Sequence, residues 1–284
     1  MEQIELYVRT HQYIRNKPEL NAMEIMGPAT TVGPTADNPW WTAWFEAVAE
    51  NNIPPDQYSY HLLYGNDIDL RRFNGTLTAL LQQYNLPARQ VNANEYAIPE
   101  EQVPSTSAWY ISRFERYDTF GLRANWRSGC QLHDFLANLV TKTGAPNSQC
   151  GGTGYQPNGQ WQVYAYYGTN MTGHRVASEG SPDGAADAFA TVAADRVRVL
   201  VGVRQQVGTW QLQIDNLEAV GLPSEGTLTV QTYAFVNDGL WGAVTAPEDR
   251  GTYGHSISGG SVSFPIYSTQ ADVETAYAFE FTVG

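Results

Sequence analysis

Ala88-Arg89-Gln90-Val91-Asn92-Ala93-Asn94-Glu95-Tyr96-Ala97 reads as a short strand that runs into a loop, with a carboxylate near its end. Asn92, Asn94 and Glu95 are poor strand formers, so their presence needs a reason. At the C-terminal end of a parallel strand in an α/β barrel, an acidic residue is placed for chemistry; elsewhere it merely opens a solvated loop. Strict alternation puts Val91, Ala93 and Glu95 on one face, and Gln90, Asn92 and Asn94 on the other. A face covered by helices should be apolar throughout, so a bulge or an early strand end must intervene before Glu95.

The surrounding chain repeats one rhythm. Ile4, Tyr7, Val8, His11 and Ile14 form a helical stripe over residues 2–16, stopped by Pro18. Asn21 to Met26 is a short strand, ended by Gly27-Pro28-Ala29. Pro39 opens a helix from Trp40 to Asn51 with Trp41, Trp44, Phe45 and Val48 on its apolar side. Gln57 to Leu62 is a strand and Leu70 to Tyr84 a helix. After the Glu95 strand come a helix from Ser105 to Tyr117, a strand from Gly121 to Trp126 and a short helix from Leu132 to Val140. Strand–loop–helix units in series imply parallel strands with helices outside. Four units make half of a (β/α)8 barrel, which leaves raw sheet edges through which two copies could associate.

From residue 160 onward the period changes to two. Trp210-Gln211-Leu212-Gln213-Ile214, Thr227 to Gln231, Val262 to Ile266 and Tyr277 to Phe281 all alternate. This pattern predicts an antiparallel β-sandwich. The expected organisation is a partial barrel over 1–145, a linker rich in Gly, Asn, Pro and Gln over 146–159, and a β domain over 160–284. No internal repeat or low-complexity tract is visible.

Composition narrows the partners. Of 284 residues, 29 are acidic and 16 basic, a net charge of −13 that disfavours nucleic acid and anionic membrane surfaces. No apolar run is long enough to span a membrane, and Met1-Glu2-Gln3-Ile4-Glu5-Leu6 lacks the basic and apolar regions of a signal peptide. The 17 Tyr, 8 Trp and 10 Phe supply core, and also flat faces on which sugar rings stack. A neutral ligand, carbohydrate above all, is the easier fit. Cys130 and Cys150 are the only cysteines; they either form one bridge or remain two buried thiols. Asn74-Gly75-Thr76 and Asn170-Met171-Thr172 are glycosylation sequons.

Three strand ends point at one rim: His61, Glu95 and Trp126. A histidine beside a carboxylate can orient it, and a tryptophan can floor a sugar site; singly, each is also an ordinary packing residue. Asp67 and Asp69 solvate a loop more naturally than they hold a metal. No phosphate loop, dinucleotide fingerprint or zinc pair is present, so neither cofactor nor metal is expected.

Glu24-Ile25-Met26-Gly27-Pro28-Ala29, Tyr58-Ser59-Tyr60-His61, Val91 to Tyr96 and Arg123-Ala124-Asn125-Trp126, in that order before a β domain, resemble the later part of a clan A glycoside hydrolase. They are similar to fungal proteins of the β-xylosidase and iduronidase type, glycoside hydrolase family 39. The resemblance implies barrel strands five to eight followed by an accessory sandwich. It also implies a retaining O-glycosidase with Glu95 as nucleophile, and His61, Asn94, Trp126 and Tyr60 at the substrate. The Asn-Glu acid/base of strand four has no match before Glu24. The expectation is therefore part of a secreted enzyme, inactive alone; the alternative is a non-catalytic carbohydrate-binding or scaffold protein derived from one.

Overall fold

In the computed structural model, which describes residues 2–63, 65, 68–143 and 152–284, the chain forms two units. One comprises Met1–Ile98 and Arg113–Ala124, the other Pro99–Ser112 and Asn125–Gly284.

The first unit is built on the expected rhythm. Its elements are α1 (Glu2–Arg15), β1 (Met26–Thr30), α2 (Pro39–Asn51), β2 (Gln57–Leu62), α3 (Leu70–Gln83), β3 (Val91–Tyr96), the end of α4 (Pro104–Arg116) and β4 (Thr119–Arg123). The four strands pair in parallel in the order β1-β2-β3-β4. Local chemistry sets the helix starts. Asn38 accepts a hydrogen bond from the Trp40 N–H at 3.0 Å just before Pro39, and Asp69 accepts one from the Arg71 N–H at 3.0 Å. Asp69 is buried and also ion-paired with Arg113 at 3.1 Å, so it anchors α3 and α4 where sequence alone suggested a solvated loop residue. Asp67 lies outside the described residues.

An aromatic layer joins the sheet to its helices. Trp41, Trp44 and Phe45 of α2 are fully buried. Tyr58 lies 6.3 Å from Trp44, and Tyr60 lies 6.4 Å from Trp41 and 5.7 Å from Phe73 of α3, ring centre to ring centre. Tyr96 meets Phe114 of α4 at 4.7 Å. Burying a ring of this size is worth on the order of 1.5–3 kcal/mol. These contacts define the helix-facing side of the sheet as Tyr58, Tyr60, Leu62, Val91, Ala93 and Tyr96. Two strands are displaced from their expected places. The first begins at Met26 and the fourth ends at Arg123, so Trp126 lies beyond β4 and within the second unit.

The second unit holds the start of α4, then α5 (Cys130–Phe135), β5 (Val140–Thr143), β6 (Thr153–Pro157), α6 (Gly159–Thr169), β7 (His174–Val176), β8 (Ala186–Val192), β9 (Arg196–Val203), β10 (Gly208–Ile214), β11 (Gly226–Phe235), β12 (Glu248–Ser258), β13 (Ser261–Ser268) and β14 (Ala276–Thr282). Residues 153–157, expected within a linker, pair with β5 as an antiparallel hairpin. Residues 159–169, read as the edge of an all-β region, form a helix capped by Asn158, which accepts from the Gln160 and Trp161 N–H groups.

The expected two-sheet sandwich is one curled antiparallel sheet of eight strands, ordered β10-β13-β12-β11-β14-β9-β8-β7. Only two residue pairs, Ile257↔Val262 and Ser258↔Ser261, join β12 to β13. Beyond that hairpin the strands part, and β10–β13 folds back over the rest. Phe264 on β13 lies 5.1 Å from Phe279 on β14, although β12 and β11 stand between those strands in the ladder. Neighbouring strands are about 4.8 Å apart, so a flat sheet would hold these rings roughly three spacings away. Val199, Val201, Val230, Ile257, Val262 and Phe279 fill the fold.

The opposite face carries the helices. Ala276 and Ala278 leave room for α6, whose Val163 and Tyr166 are buried beside Phe235 and Leu200. Gly202 lies directly under α4, where a Cβ would strike the Ser105 carbonyl and the Trp109 backbone nitrogen. Glu101 and Arg204, both about 5% exposed, form an ion pair at 2.6 Å, with the guanidinium 4.7 Å from the Trp109 ring centre.

Candidate functional site

The C-terminal ends of β2 and β3 carry the polar residues picked out from the sequence. The β2–β3 register runs Tyr58↔Val91, Ser59↔Asn92 and Tyr60↔Ala93, then jumps to His61↔Glu95 and Leu62↔Tyr96. Asn94 is skipped. The β3–β4 ladder makes the same jump, from Ala93↔Gly121 to Tyr96↔Arg123. A bulge at Asn94 therefore resolves the conflict in alternation: it turns Glu95 to the side away from the helices and returns Tyr96 to the apolar layer.

On that side Glu95 meets His61. The carboxylate oxygen Oε2 is 3.3 Å from His61 Nδ1, with side-chain exposures of 45% and 15%. The imidazole is thus mostly enclosed while the carboxylate faces outward. His61 Nδ1 makes no aligned hydrogen bond, so the contact is one of position. Toward the strands' N-terminal ends the same face is polar: the Asn92 amide donates to Gln57 Oε1 at 3.2 Å and approaches the Met26 sulfur at 3.2 Å. Ser59, between these rows, is fully buried and its hydroxyl has no hydrogen-bond partner.

The other expected site residues have distinct surroundings. The Oδ1 atom of Asn94 is buried without a partner at the bulge. Tyr60 lies on the opposite face, fully buried between Trp41 and Phe73, where burial pushes its phenol well above its usual range. It packs the helix layer rather than lining the Glu95 face. Trp126 is partly exposed in the second unit. Asn74 is half-buried within α3 and Asn170 is exposed at the end of α6. Cys130 starts α5, whereas Cys150 lies outside the described residues.

A cleft of about 410 Å³ opens at the C-terminal end of β1, lined by Thr30, Val32, Asn38, Trp40, Trp41 and Tyr7, among others. It does not include His61 or Glu95, so this cleft and that pair are separate features. Sequence reading assigned Trp41 to the core and passed over Trp40; the tandem Trp40-Trp41 after Pro39 was the available signal. Among the described residues there is no group of three His, Cys, Asp or Glu side chains able to hold a metal, and no helix long and apolar enough to cross a membrane.

The chain superposes on N2152 from Neocallimastix frontalis with a TM-score of 0.79 and 21% identity, over 99% of this chain and 65% of that one. It superposes on a glucosidase from Croceicoccus marinus with a TM-score of 0.57 and 15% identity, over 99% of this chain and 64% of that one. A β-porphyranase of glycoside hydrolase family 86 from Bacteroides plebeius gives 0.58 and 14%, over 99% and 52%. The chain shares its fold with these proteins, a glucosidase and a family 86 glycoside hydrolase among them. At these identities the likeness concerns architecture, and the chain spans less than two thirds of each of these proteins. No family model and no curated protein sequence matches the chain.

Proposed function

We propose that this chain forms part of a secreted, retaining glycoside hydrolase in which Glu95 is the nucleophile and His61 positions it. The observation that carries this reading is the 3.3 Å approach of His61 Nδ1 to Glu95 Oε2 on the side of the parallel sheet away from its helices. Glu95 stands at the C-terminal end of β3, the end from which barrel enzymes act, with an outward-facing carboxylate and an enclosed partner. The shared glycoside hydrolase fold and the abundance of aromatic rings support a carbohydrate substrate.

A retaining reaction places one carboxylate on the anomeric carbon and a second about 5–5.5 Å away, as acid and then base. The proposal assigns the first to Glu95 and assigns no acid within residues 1–284. On this reading these residues alone act only on glycosides whose leaving group departs without protonation, since acid assistance is typically worth about 10²–10⁴-fold.

The test uses dinitrophenyl β-glycosides, including the glucoside and xyloside. The chain is expected to hydrolyse at least one of them slowly. Glu95→Gln should abolish this activity, and azide should restore turnover with formation of the inverted glycosyl azide. Unchanged activity in Glu95→Gln would overturn the assignment. His61→Gln should lower the rate while leaving azide rescue of Glu95→Gln intact, as befits a positioning residue.

A further inference from the structure

We propose that the second unit carries a separate binding site for a neutral sugar ring, in the cleft between the end of α6 and the β9–β14–β11 face. The proposal rests on the carbohydrate reading above but uses none of the Glu95 apparatus. The cleft has a volume of about 590 Å³, within the usual range of small-ligand sites.

Its geometry follows from the sheet. Leu200, Ala278, Ala276 and Phe235 lie under α6. Further along the same strands the face turns polar: Arg198 pairs with Glu280 across β9 and β14, Arg196 pairs with Thr282, and Tyr233 sits on β11 opposite Ala278. The helix ends at Thr169, so this polar shelf lies open beside its last turn.

The hydrogen bonds on the shelf are unevenly distributed. Glu280 is satisfied: Oε1 accepts from the Tyr166 hydroxyl at 2.8 Å, and Oε2 accepts from Arg196 Nη1 at 2.7 Å. Arg196 also donates from Nε to Asp195 at 2.9 Å. Arg198 is held only by longer ion pairs. Its Nε is 3.7 Å from Glu280 Oε1 and its Nη2 is 3.7 Å from Asp195 Oδ2, both beyond hydrogen-bonding distance. Its Nε and Nη1 make no hydrogen bond and are closed off from solvent, which leaves Nη2 as the donor on the cleft side of a side chain that is 12% exposed and lines the cleft. A guanidinium this short of hydrogen bonds gains from an acceptor at Nη2.

The charge balance selects the ligand class. Two guanidinium groups and two carboxylates line the space, and the whole chain carries a net charge of −13. An anion would gain Arg198 but face Glu280, Asp195 and the field of the molecule. Hydroxyl oxygens can accept from Arg198 without that repulsion, and the Tyr233 ring offers a face for C–H groups. A neutral polyhydroxyl ring meets both demands.

The experiment uses the full 284-residue chain from a bacterial host, so that Asn170 at the cleft carries no glycan. The Arg198 Nε–H resonance, identified by its loss in Arg198→Lys, is followed during titration with cellotetraose and xylotetraose. Trigalacturonate serves as the acidic control. The expected result is a saturable shift with a neutral oligosaccharide, unaltered in Glu95→Gln. Affinity, followed by calorimetry, should be weakened about tenfold or more in Arg198→Lys and in Tyr233→Ala at unchanged thermal unfolding temperature. No saturable shift with either neutral probe, a response to trigalacturonate alone, or undiminished affinity in both variants would overturn the proposal. A Glu95→Gln chain that keeps the Arg198 response but retains hydrolysis would instead overturn the catalytic assignment and leave this site standing.

Discussion

His61 stands opposite Glu95 in the β2–β3 ladder because the residue between Ala93 and Glu95 is bulged out of it. The bulge spends one residue, Asn94, to bring a carboxylate and an imidazole onto the same face while keeping Ala93 and Tyr96 in the apolar layer. Asn94 itself gains no hydrogen bond at Oδ1 from this arrangement.

That unmet acceptor gives a prediction that separates folding from function. Asn94→Ala removes a buried, unpaired polar atom, so its unfolding free energy should match the parent or exceed it by up to about 1 kcal/mol. If Asn94 serves the sugar, turnover of the activated glycoside should fall by about tenfold or more. Denaturant unfolding and the aryl-glycoside assay on the same preparation check both halves.

Gly202 should tolerate no side chain. A Cβ there would meet the backbone of α4 at Ser105 and Trp109, which cannot move aside as a flexible side chain would. Gly202→Ala is expected to cost about 1–3 kcal/mol. Chemical denaturation should show a lower midpoint with an unchanged slope if only packing is lost.

Two histidines make the fold acid-sensitive above the carboxylate range. Burial lowers the pKa of His11, which Arg15 lowers further, and burial lowers that of His255, whose ring stacks on Phe264 at 4.4 Å. The folded state therefore favours the neutral imidazoles. As pH falls below their ordinary value of 6.5, the unfolded chain takes up protons that the native chain does not, and stability declines. Thermal unfolding temperature should fall between about pH 7 and 5, and His11→Phe and His255→Phe should each flatten that dependence. A second decline belongs below 3.8, where Asp183 is held ionised by the Ser181 hydroxyl and loses that advantage on protonation.

Cys130 and Cys150 are predicted to form a disulfide. Thiol titration of denatured, unreduced protein should find no free thiol, and two would contradict the pairing. Closing a loop of this size is worth about 3 kcal/mol in the chain-entropy picture, so reduction should lower the unfolding midpoint.

The sequence by itself determined the order of strands and helices in the parallel half of this protein, because those signals are local, while the bounds of β1 and β4 lay elsewhere than expected. Pro39 and Asn38 start α2, Trp41, Trp44 and Phe45 mark its buried stripe, and Gln57–Leu62 was legible as a strand. Period-two alternation likewise located the strands holding Leu212, Val230, Phe264 and Phe279. It could not say which strands pair: two residue pairs between β12 and β13 decide that one sheet curls over itself where two stacked sheets were expected. Nor could it tell a bulge at Asn94 from an early strand end, since that choice depends on what Tyr60 and His61 offer across the ladder. Tyr60 shows the same limit. Beside His61 in sequence it looked like part of the site, yet the pleat turns it into the helix layer against Trp41 and Phe73. Burial and pairing are properties of neighbours brought from elsewhere in the chain. Tertiary packing alone gave Asp69 its Arg113, Glu101 its Arg204, and Arg198 its place in a cleft beside Asp195 and Glu280.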